Sequence, residues 1–499
     1  MSDIQDPRLS YAFAKEHGVA LVPGEAGLCL AVRSGAGPLA LLEARRVAGR
    51  SVPVEPVEAA RFERLLSETY SAEGIDTSGI DSQLEQQGDL DTLAAGLDET
   101  ADLLDTSDDA PVIRLINGLI AEAVRTKASD IHVEPFEDRL SVRLRIDGVM
   151  REVLSPSRKV APLLVSRIKV MARLDIAEKR VPQDGRISLS LGGRAIDVRV
   201  STLPARFGER VVMRLLDKEQ AHLDLDDLGM PADTLERFKQ VLRQPNGIIL
   251  VTGPTGSGKT TTLYAALSLL NDQSRNILTV EDPIEYGLDG IGQTQVNARV
   301  GMTFATGLRA ILRQDPDIVM VGEIRDSETT QIAVQASLTG HLVLSTVHTN
   351  SAAAAVTRLR DMGVEPFLLS STLSAIVAQR LVRRLCGHCR QPYVPDPKEL
   401  SLLGLSESDQ QTFYRPVGCE ECARLGYEGR VGLYELIVMD SQLRRMVHDD
   451  AREQDIEAHA FQGEDTLRDA GARLVQAGVT SCEEVLRVVR QGGDSDGGV

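Results

Sequence analysis

Residues 247–263, with the sequence GIILVTGPTGSGKTTTL, have the composition and spacing needed to bind a nucleoside triphosphate. Positions 253–260 follow the P-loop pattern G-x-x-x-x-G-K-T. Because glycine has no Cβ, the backbone N–H groups of such a loop can close around phosphate oxygens. The N-terminus of the following helix contributes its positive dipole end. In this motif Lys259 reaches the β- and γ-phosphates, and the Thr260 hydroxyl ligates Mg²⁺.

The alternative for this segment is a glycine-rich turn that joins a strand to a helix without binding anything. An apolar strand before the glycines and a helix-forming run after them favour the P-loop. We therefore predict ATP and Mg²⁺ as ligands. The residues predicted to bind them are Gly253, Pro254, Thr255, Gly256, Ser257, Gly258, Lys259, Thr260 and Thr261.

Carboxylates follow two further apolar strands. Glu323 ends the segment DIVMVGE, and TVEDPIEY ends a strand with Glu281, Asp282 and Glu285. Ligands of open α/β sheets bind at the carboxyl ends of strands, so we expect these side chains to surround Mg²⁺ and water. A carboxylate there can hold the metal through water or orient the attacking water. The sequence leaves open which of Glu285 and Glu323 is the base.

A histidine, His348, follows the strand predicted within LTGHLVLSTVHTNSA. Its place at a strand end makes it a candidate to contact a phosphate. The alternative is a core histidine that makes one hydrogen bond.

Four of the six cysteines form two C-x-x-C pairs, Cys386 with Cys389 and Cys419 with Cys422. This pattern predicts a closed, structural Cys₄ zinc site, and the long spacer between the pairs is expected to loop out. Two independent redox dithiols are the alternative. We predict Zn²⁺ as a third bound species.

The elements that must position these residues predict an α/β fold. Strands at 248–252, 277–281, 318–321 and 342–346 alternate with helices at 260–270, 304–313 and 327–338, which is typical of a parallel RecA-like P-loop NTPase sheet. Before it we expect an α+β, PAS-like domain with an antiparallel sheet, turning at 147–148 and 192–193. Arginines recur on its strands, where a solvated strand face is the simple explanation.

The predicted division of the chain has seven segments. They are a small N-terminal docking domain (1–70), an acidic flexible linker (71–110), the antiparallel domain (111–220), the ATPase domain (221–385), the Cys₄ insert (386–425), a C-terminal helical subdomain (426–490, with helices from about residue 433) and a disordered tail (491–499).

Composition limits the possible functions. The net charge is −18, which disfavours a general attraction to nucleic acid or anionic lipid. The N-terminal residues lack a signal-peptide pattern, and no apolar run is long enough to span a bilayer. We therefore expect a cytoplasmic protein.

Four elements in order, GPTGSGKTTTL, TVEDPIEY, DIVMVGEIRD and TGHLVLSTVHTN, resemble the Walker A, Asp box, Walker B and His box of the secretion NTPase superfamily. SDIHVEP, DGRISL and GERVVMRLLD in the N-terminal half add to the resemblance, as does the Cys₄ insert, which retraction-type pilus ATPases generally lack. The chain looks most like the type II secretion ATPases. Assembly ATPases of type IV pili are near relatives with the same motifs.

This resemblance implies a homohexamer that hydrolyses ATP at the cytoplasmic face of the inner membrane and drives pseudopilus extension. It implies docking of residues 1–100 to the cytoplasmic domain of the inner-membrane L protein, and contact with the platform protein. It also assigns catalytic roles to arginines at matching positions. These are Arg199, Arg214, Arg309, Arg313, Arg325 and Arg430.

Two other classes of function are less well supported. A nucleic-acid motor would require aromatic stacking platforms and a basic channel, but aromatic residues make up only 3% of the chain, and no nucleic-acid partner is expected. A small-molecule kinase receives no support from the zinc insert or from the arginines.

Overall fold

The structure of the chain is a computed structural model. It describes residue 9 and residues 17–24, 27–33, 36–48, 52–57, 61–62, 109–191, 194–217, 224–406 and 411–490. The predicted linker, apart from residues 109–110, and the predicted tail lie outside these ranges. The chain divides into two compact units, Met1–Lys218 and Glu219–Val499.

The first unit begins with a small three-stranded sheet and one helix. Its elements are β1 (Val19–Gly24), β2 (Gly27–Arg33), α1 (Pro38–Ala48) and β3 (Val54–Val57). Strands β1 and β2 are antiparallel, whereas β2 and β3 are parallel. Parallel neighbours need a crossover connection, and α1 lies in that crossover. Leu21, Leu30, Ala44 and Phe62 form part of the core of this module.

The rest of the first unit contains a six-stranded, fully antiparallel sheet in the order β6-β5-β4-β9-β8-β7. Its elements are α2 (Asp109–Arg125), β4 (Ala128–Pro135), β5 (Leu140–Ile146), β6 (Val149–Leu154), α3 (Ala161–Met171), β7 (Gln183–Leu191), β8 (Arg194–Ala205) and β9 (Gly208–Asp217). The predicted turn at Asp147 and Gly148 is present, and both have positive φ. The predicted turn at 192–193 lies outside the described residues.

Side chains alternate across the central strand β4. Ile131 and Val133 are fully buried in the apolar layer, and Asp130, His132 and Glu134 lie on the opposite face. Successive side chains of a strand point to opposite faces. The sheet therefore has one hydrophobic face and one face of charged residues.

The second unit has a seven-stranded sheet in the order β12-β11-β13-β14-β10-β15-β18, which is parallel except at β18. Its elements up to the last strand are α4 (Ala232–Leu242), β10 (Gly247–Thr252), α5 (Lys259–Leu270), β11 (Ile277–Glu281), β12 (Gly292–Gln295), α6 (Phe304–Ile311), β13 (Ile318–Val321), α7 (Ser327–Leu338), β14 (Leu342–Val347), α8 (Ala352–Asp361), α9 (Pro366–Thr372), β15 (Leu373–Leu385), β16 (Gln391–Tyr393), α10 (Pro397–Leu402), β17 (Phe413–Arg415) and β18 (Tyr427–Val438). Apolar clusters cover both faces of the sheet, which confirms the predicted α/β class.

The prediction of helices from about residue 433 onward is wrong in its first part. Residues Tyr427–Val438 form β18, which pairs antiparallel with β15. A short apolar run such as LYELIV fits a buried strand as well as a buried helix, and only its neighbours in the sheet decide. The C-terminal helices follow it: α11 (Ser441–His448), α12 (Glu453–Ala460), α13 (Leu467–Gln476) and α14 (Cys482–Arg490).

The four cysteines lie in the connection between β15 and β18. Because these strands are antiparallel neighbours, residues 386–426 leave the sheet and return to it at the same end. The spacer between the cysteine pairs contains α10 and the two-stranded sheet of β16 and β17. The expected loop-out is thus a small folded module. Among the described residues, no helix combines the length and hydropathy that crossing a bilayer would require.

Candidate active site and metal centre

The glycine loop leaves the buried strand β10 and enters α5 at Lys259. Gly253, Gly256 and Gly258 all have positive φ. A Cβ on Gly253 would lie 2.4 Å from the backbone oxygen of Gln379, and one on Gly258 would lie 2.8 Å from its Nε2. Both the backbone conformation and the contact with β15 therefore require glycine here.

Lys259 lies across the loop that it follows. Its Nζ donates hydrogen bonds to the carbonyl oxygens of Gly253 (2.8 Å) and Pro254 (3.0 Å). Burial lowers the pKa of Lys259 to about 8; the charge of Glu323 opposes this shift and that of Arg380 adds to it. The result is a preorganised ammonium in the loop where a triphosphate would bind.

The remaining residues of the loop differ in their exposure to solvent. Pro254, Thr255, Gly256 and Thr260 are exposed and Thr261 is half-buried. Ser257 is buried, and its Oγ has no hydrogen-bond partner among the described residues. Buried polar atoms are normally paired, so an unpaired hydroxyl in this loop fits a site built for an anionic ligand.

Glu323 lies directly beyond β13 and joins two other predicted site residues. Its Oε1 is 2.7 Å from His348 Nε2, and its Oε2 is 2.6 Å from Arg325 Nη2. Burial alone would raise the pKa of Glu323, but the hydrogen bond from Arg325 and the charges of His348 and Lys259 lower it overall. The structure therefore groups Glu323, His348 and Arg325 near the lysine of the loop.

The expectation that Glu281 surrounds Mg²⁺ is wrong. Its carboxylate is buried, 3% exposed, and accepts hydrogen bonds from Tyr264, from Thr279 Oγ1 at 2.5 Å and from Gln293 Nε2 at 3.1 Å. A buried carboxylate whose oxygens already accept hydrogen bonds from side chains is not placed to ligate Mg²⁺. Asp282 is exposed, and Glu285 is half-buried in the loop after β11.

Two sets of side-chain contacts hold the parts of this site together. Thr252, the last residue of β10, accepts a hydrogen bond from the Thr349 N–H at 2.9 Å and lies 2.7 Å from the Thr349 hydroxyl. This fixes the segment of His348 beside the loop. On the other side of β10, Thr262 Oγ1 donates to Gln379 Oε1 at 2.7 Å.

Arg380 was not identified from the sequence. It is 4% exposed, and its guanidinium donates to the carbonyl oxygens of Asn350 (2.7 Å) and Gln379 (3.1 Å). Its Nη1 would lie 3.2 Å from a Cβ on Gly253, so this buried cation adjoins the phosphate loop. The basic run QRLVRR contains it, but only the pairing of β15 with β10 places it there.

The resemblance implies three further arginines in the second unit, Arg309, Arg313 and Arg430. Arg309 pairs with Glu328 at 2.7 Å, and Arg313 Nη1 donates to the Arg309 carbonyl oxygen at 2.9 Å. Arg430 lies on β18 in register with Arg383. Of the arginines of this unit implied by the resemblance, Arg325 is the one that contacts Glu323.

Arg199 and Arg214 belong to the first unit. They are directly opposite each other on β8 and β9, and Arg186 on β7 is in register with Arg199. Arg214 Nε donates to Asp130 Oδ1 at 2.8 Å. Like charges directly opposite each other in a sheet repel, and the Asp130 carboxylate offsets this repulsion at Arg214.

The four cysteine sulfurs form a compact group. The Sγ atoms of Cys386 and Cys419 are 3.8 Å apart, as are those of Cys389 and Cys422, and all four lie within 4.8 Å of one another. Zn–S bonds of about 2.3 Å in a tetrahedron give S–S separations of about 3.8 Å, whereas a disulfide requires about 2.05 Å. The sulfurs fit a tetrahedral metal ion.

Backbone N–H groups support thiolates in this cluster. Gly418 donates to Cys389 Sγ at 3.3 Å, and Cys419 and Gly426 donate to Cys422 Sγ at 3.2 and 3.1 Å. Burial would raise the pKa of Cys422, but the N–H groups of Cys419 and Gly426 and the neighbouring cysteines bring it down to about 7. Hydrogen bonds of this kind stabilise the form of the sulfur that binds metal.

Comparison with known proteins gives two family matches. The profile described as type II/IV secretion system protein matches residues 105–487, and a profile for an N-terminal domain of GSPII protein E matches residues 8–70. The second match coincides with the predicted N-terminal domain.

Two curated relatives cover most of the chain. Type II secretion system protein E of Pseudomonas aeruginosa is 57% identical over 97% of this chain and 96% of its own length. Type II secretion system ATPase E of Vibrio cholerae is 57% identical over 91% of this chain and 90% of its own length.

Among solved structures, the pilus retraction motor PilT with bound ADP is 26% identical, with a TM-score of 0.51 over 76% of this chain and 97% of PilT. The ATPase DotB of Legionella pneumophila, at 20% identity, gives a TM-score of 0.56 over 75% of this chain and 95% of DotB, which shows the fold alone. With 57% identity extending over nearly the whole of both chains, and with the family profile covering more than half of the sequence, this chain belongs to the type II secretion system protein E family of secretion ATPases.

Proposed function

We propose that the chain is the ATP-hydrolysing motor subunit of a type II secretion system, which drives pseudopilus assembly and the export of folded proteins across the outer membrane. The observation that carries this proposal is a complete phosphate loop beside Glu323 in a chain that matches type II secretion ATPases along nearly its whole length. The substrate is Mg²⁺·ATP.

Different residues of the loop bind different parts of the Mg²⁺·ATP complex. The backbone N–H groups of Gly253 and of residues 255–258 surround the phosphates, and Lys259 moves its ammonium from the Gly253 and Pro254 carbonyls to the β- and γ-phosphate oxygens. Thr260, exposed at the first turn of α5, offers its hydroxyl to the metal. Mg²⁺ held there would neutralise charge that develops on the transferring phosphoryl group.

The two candidate glutamates have different roles. Glu323 already lies 2.6 Å from Arg325 Nη2 and 2.7 Å from His348 Nε2, and its pKa is lowered. A carboxylate stabilised in this way is a weak base, which suits a position on the metal side. Glu285, on the loop after β11, orients the attacking water.

Replacing Glu285 by glutamine is expected to lower kcat about 10²-fold, because an amide cannot accept the proton of the attacking water. Binding of Mg²⁺·ATP should change little, since the phosphate loop is untouched. Glu323→Gln is the matched variant, and its main effect should be a higher KM for Mg²⁺·ATP. Steady-state hydrolysis and ATP binding measured on both variants distinguish the roles; the reverse pattern would exchange them.

The cysteine cluster holds Zn²⁺ as a structural ion. Four thiolates close a tetrahedral site and leave no position for a reacting molecule. Around the cluster, Arg390 Nη1 donates to the carbonyl of Gly478, and the guanidinium lies over the Tyr414 ring at 4.7 Å. A metal ion bound by the cysteines would therefore order a module that contacts Gly478, just after α13.

Cys419→Ser is expected to lower the zinc content from about one ion per chain toward zero, because three thiolates hold the ion far less tightly than four. Elemental analysis of the purified full-length chain measures this. Cys29→Ala, in the N-terminal module, is the control and should keep its metal. A Cys419→Ser chain with a full complement of zinc would contradict the assignment.

The assembly is a homohexamer. It operates at the cytoplasmic face of the inner membrane, where residues 1–100 bind the cytoplasmic domain of the L protein and the ring contacts the inner-membrane platform protein. Supporting this, the profile for the N-terminal domain of GSPII protein E matches residues 8–70. The match also favours type II secretion over the second candidate, an assembly ATPase of type IV pili.

Genetic deletion separates these two candidates. A strain that lacks the chain is expected to retain its secreted enzymes in the periplasm and to assemble type IV pili normally. Re-expression of the wild-type chain should restore secretion, and the Lys259→Ala chain should not. Loss of pili with intact secretion would favour the pilus ATPase instead.

A further inference from the structure

Three polar side chains, Tyr264 on α5, Glu281 at the end of β11 and Gln293 on β12, form a hydrogen-bonded cluster. Tyr264, 1% exposed on α5, donates its hydroxyl to Glu281 Oε2. Gln293 on β12 donates to Glu281 Oε1 at 3.1 Å. Burial, together with the hydrogen bond and the charge of Glu281, raises the pKa of Tyr264, so the phenol remains protonated and serves as the donor.

The cluster holds the backbone of the loop that carries Glu285. The Tyr264 hydroxyl accepts a long hydrogen bond, 3.4 Å, from the Glu285 N–H. Gln293 Nε2 donates to the Tyr286 carbonyl oxygen at 3.1 Å, and Gln293 Oε1 accepts from the Leu288 N–H at 2.7 Å. The Tyr286 ring packs edge-on against Tyr264 at 4.6 Å between centroids. Three parts of this loop are therefore fixed to one buried carboxylate and its donors.

Tyr264 also belongs to the helix that begins at the phosphates. It lies five positions after Lys259 on α5, so it is just over one turn from the residues that contact the substrate. Its hydroxyl extends from this helix to the backbone of Glu285. The cluster is therefore a direct connection between the phosphate-binding helix and the loop of the second catalytic carboxylate.

From this geometry we infer that Tyr264 and Glu281 are positioning residues that set the place of Glu285 relative to the γ-phosphate. The inference rests on the proposed ATPase function and on the role given there to Glu285. The Tyr264 hydroxyl is engaged by Glu281 and by the Glu285 N–H, so it acts through the loop.

A purely structural role for the cluster predicts a different effect of mutation. Burying a carboxylate without an ion pair costs stability unless its oxygens are hydrogen-bonded, so loss of the hydroxyl lowers stability under either role. Only the positioning role also predicts a selective loss of the hydrolysis step. A displacement of a catalytic group by about 1 Å can cost up to about 10²-fold in rate.

The test is Tyr264→Phe in the full-length chain, which removes one oxygen and keeps the ring that packs on Tyr286. We expect kcat to fall about 10-fold and the KM for Mg²⁺·ATP to change less than about twofold, since phosphate binding is retained. Tyr427→Phe is the matched control. Its buried hydroxyl lies 2.8 Å from Ser481 Oγ, far along the chain from either glutamate, and its kcat should equal that of the wild type.

Two further comparisons separate the possible failures. Glu281→Gln keeps an oxygen acceptor for Thr279 and Gln293 and should retain more kcat than Glu281→Ala. Adding Tyr264→Phe to Glu285→Gln should cause no further loss, because both act on one step. If Glu285→Gln stays active, the proposed role of Glu285 fails; if Glu285→Gln is inactive while Tyr264→Phe turns over ATP like Tyr427→Phe, only the positioning inference fails.

Discussion

ATP turnover is expected to fall about 10³-fold when Lys259 is replaced by alanine. In the structure its Nζ lies within hydrogen-bonding distance of two loop carbonyls, which places the cation where phosphate charge accumulates in the transition state. Removing a preorganised donor from such a site costs about 10² to 10³ in rate, and this one also binds the ground state. Phosphate release by the purified chain measures the loss, and a fluorescent ATP analogue measures binding.

Lys239→Ala is the matched control, because this lysine pairs with Asp226 at 2.9 Å on a different helix. It should leave turnover unchanged. Circular dichroism checks that the Lys259→Ala chain keeps its secondary structure. A folded Lys259→Ala chain with wild-type turnover would remove the phosphate-loop assignment.

The same lysine predicts a pH dependence. Because burial lowers the pKa of Lys259 to about 8, the free chain loses this ammonium as the pH rises above about 8. Binding of the triphosphate requires the charged form, so it takes up one proton, and the ATP Kd should rise about tenfold per pH unit in that range. Lys259→Arg should flatten this slope, since a guanidinium stays charged.

The phosphate loop was predictable because its chemistry is local in the sequence. The glycines, Lys259 and Thr260 are adjacent, and the conformations they adopt depend on residues within a few positions. The central strands were predictable for the same reason: each is a short, mostly apolar run between helices. These strands could be identified without knowing their order in the sheet.

The environment of Glu281 was not predictable in this way. Its position at a strand end, next to Asp282 and Glu285, indicated a ligand of the metal. The side chains that bury it are Tyr264, which comes from helix α5, and Gln293, which comes from the neighbouring strand β12. The pairing of β11 with β12 decides the environment of this carboxylate, and no local pattern reports that pairing.

Arg380 and β18 illustrate the same limit. Arg380 reaches the glycine loop because β15 adds beside β10, whereas a basic run in the sequence indicates only an exposed face. The run LYELIV became a strand because β15 offered an antiparallel edge. Sheet order and register are properties of the assembled core, and they place residues that are distant in the sequence.

Arginines of the first unit are expected to have an effect on turnover as large as that of Lys259. Arg199→Ala should lower kcat on the order of 10³-fold, because an arginine that stabilises γ-phosphoryl charge contributes that much or more. Arg199 and Arg214 are directly opposite each other on β8 and β9, on the sheet face that carries the charged residues. The prediction requires that the guanidinium meets the γ-phosphate during the cycle, from the same chain or from a neighbouring copy.

Arg151→Ala is the control for charge alone. Arg151 is exposed on β6 opposite the buried Leu144, so it lies on the other face of the same sheet. Its removal should leave kcat unchanged. If Arg199→Ala and Arg214→Ala both turned over ATP like the wild type, the charged face of this sheet would have only a structural role.

Arg214 requires a second measurement, because it also pairs with Asp130 at 2.8 Å, and Asp130 is only 3% exposed. Arg214→Ala leaves this carboxylate with Ser129 and a longer contact to Arg145 at 3.5 Å, so part of its effect is lost stability. Arg214→Lys keeps a charge beside Asp130 but loses the planar fork that binds phosphate. If Arg214→Lys unfolds like the wild type and still loses kcat, the loss belongs to phosphoryl transfer rather than to the fold.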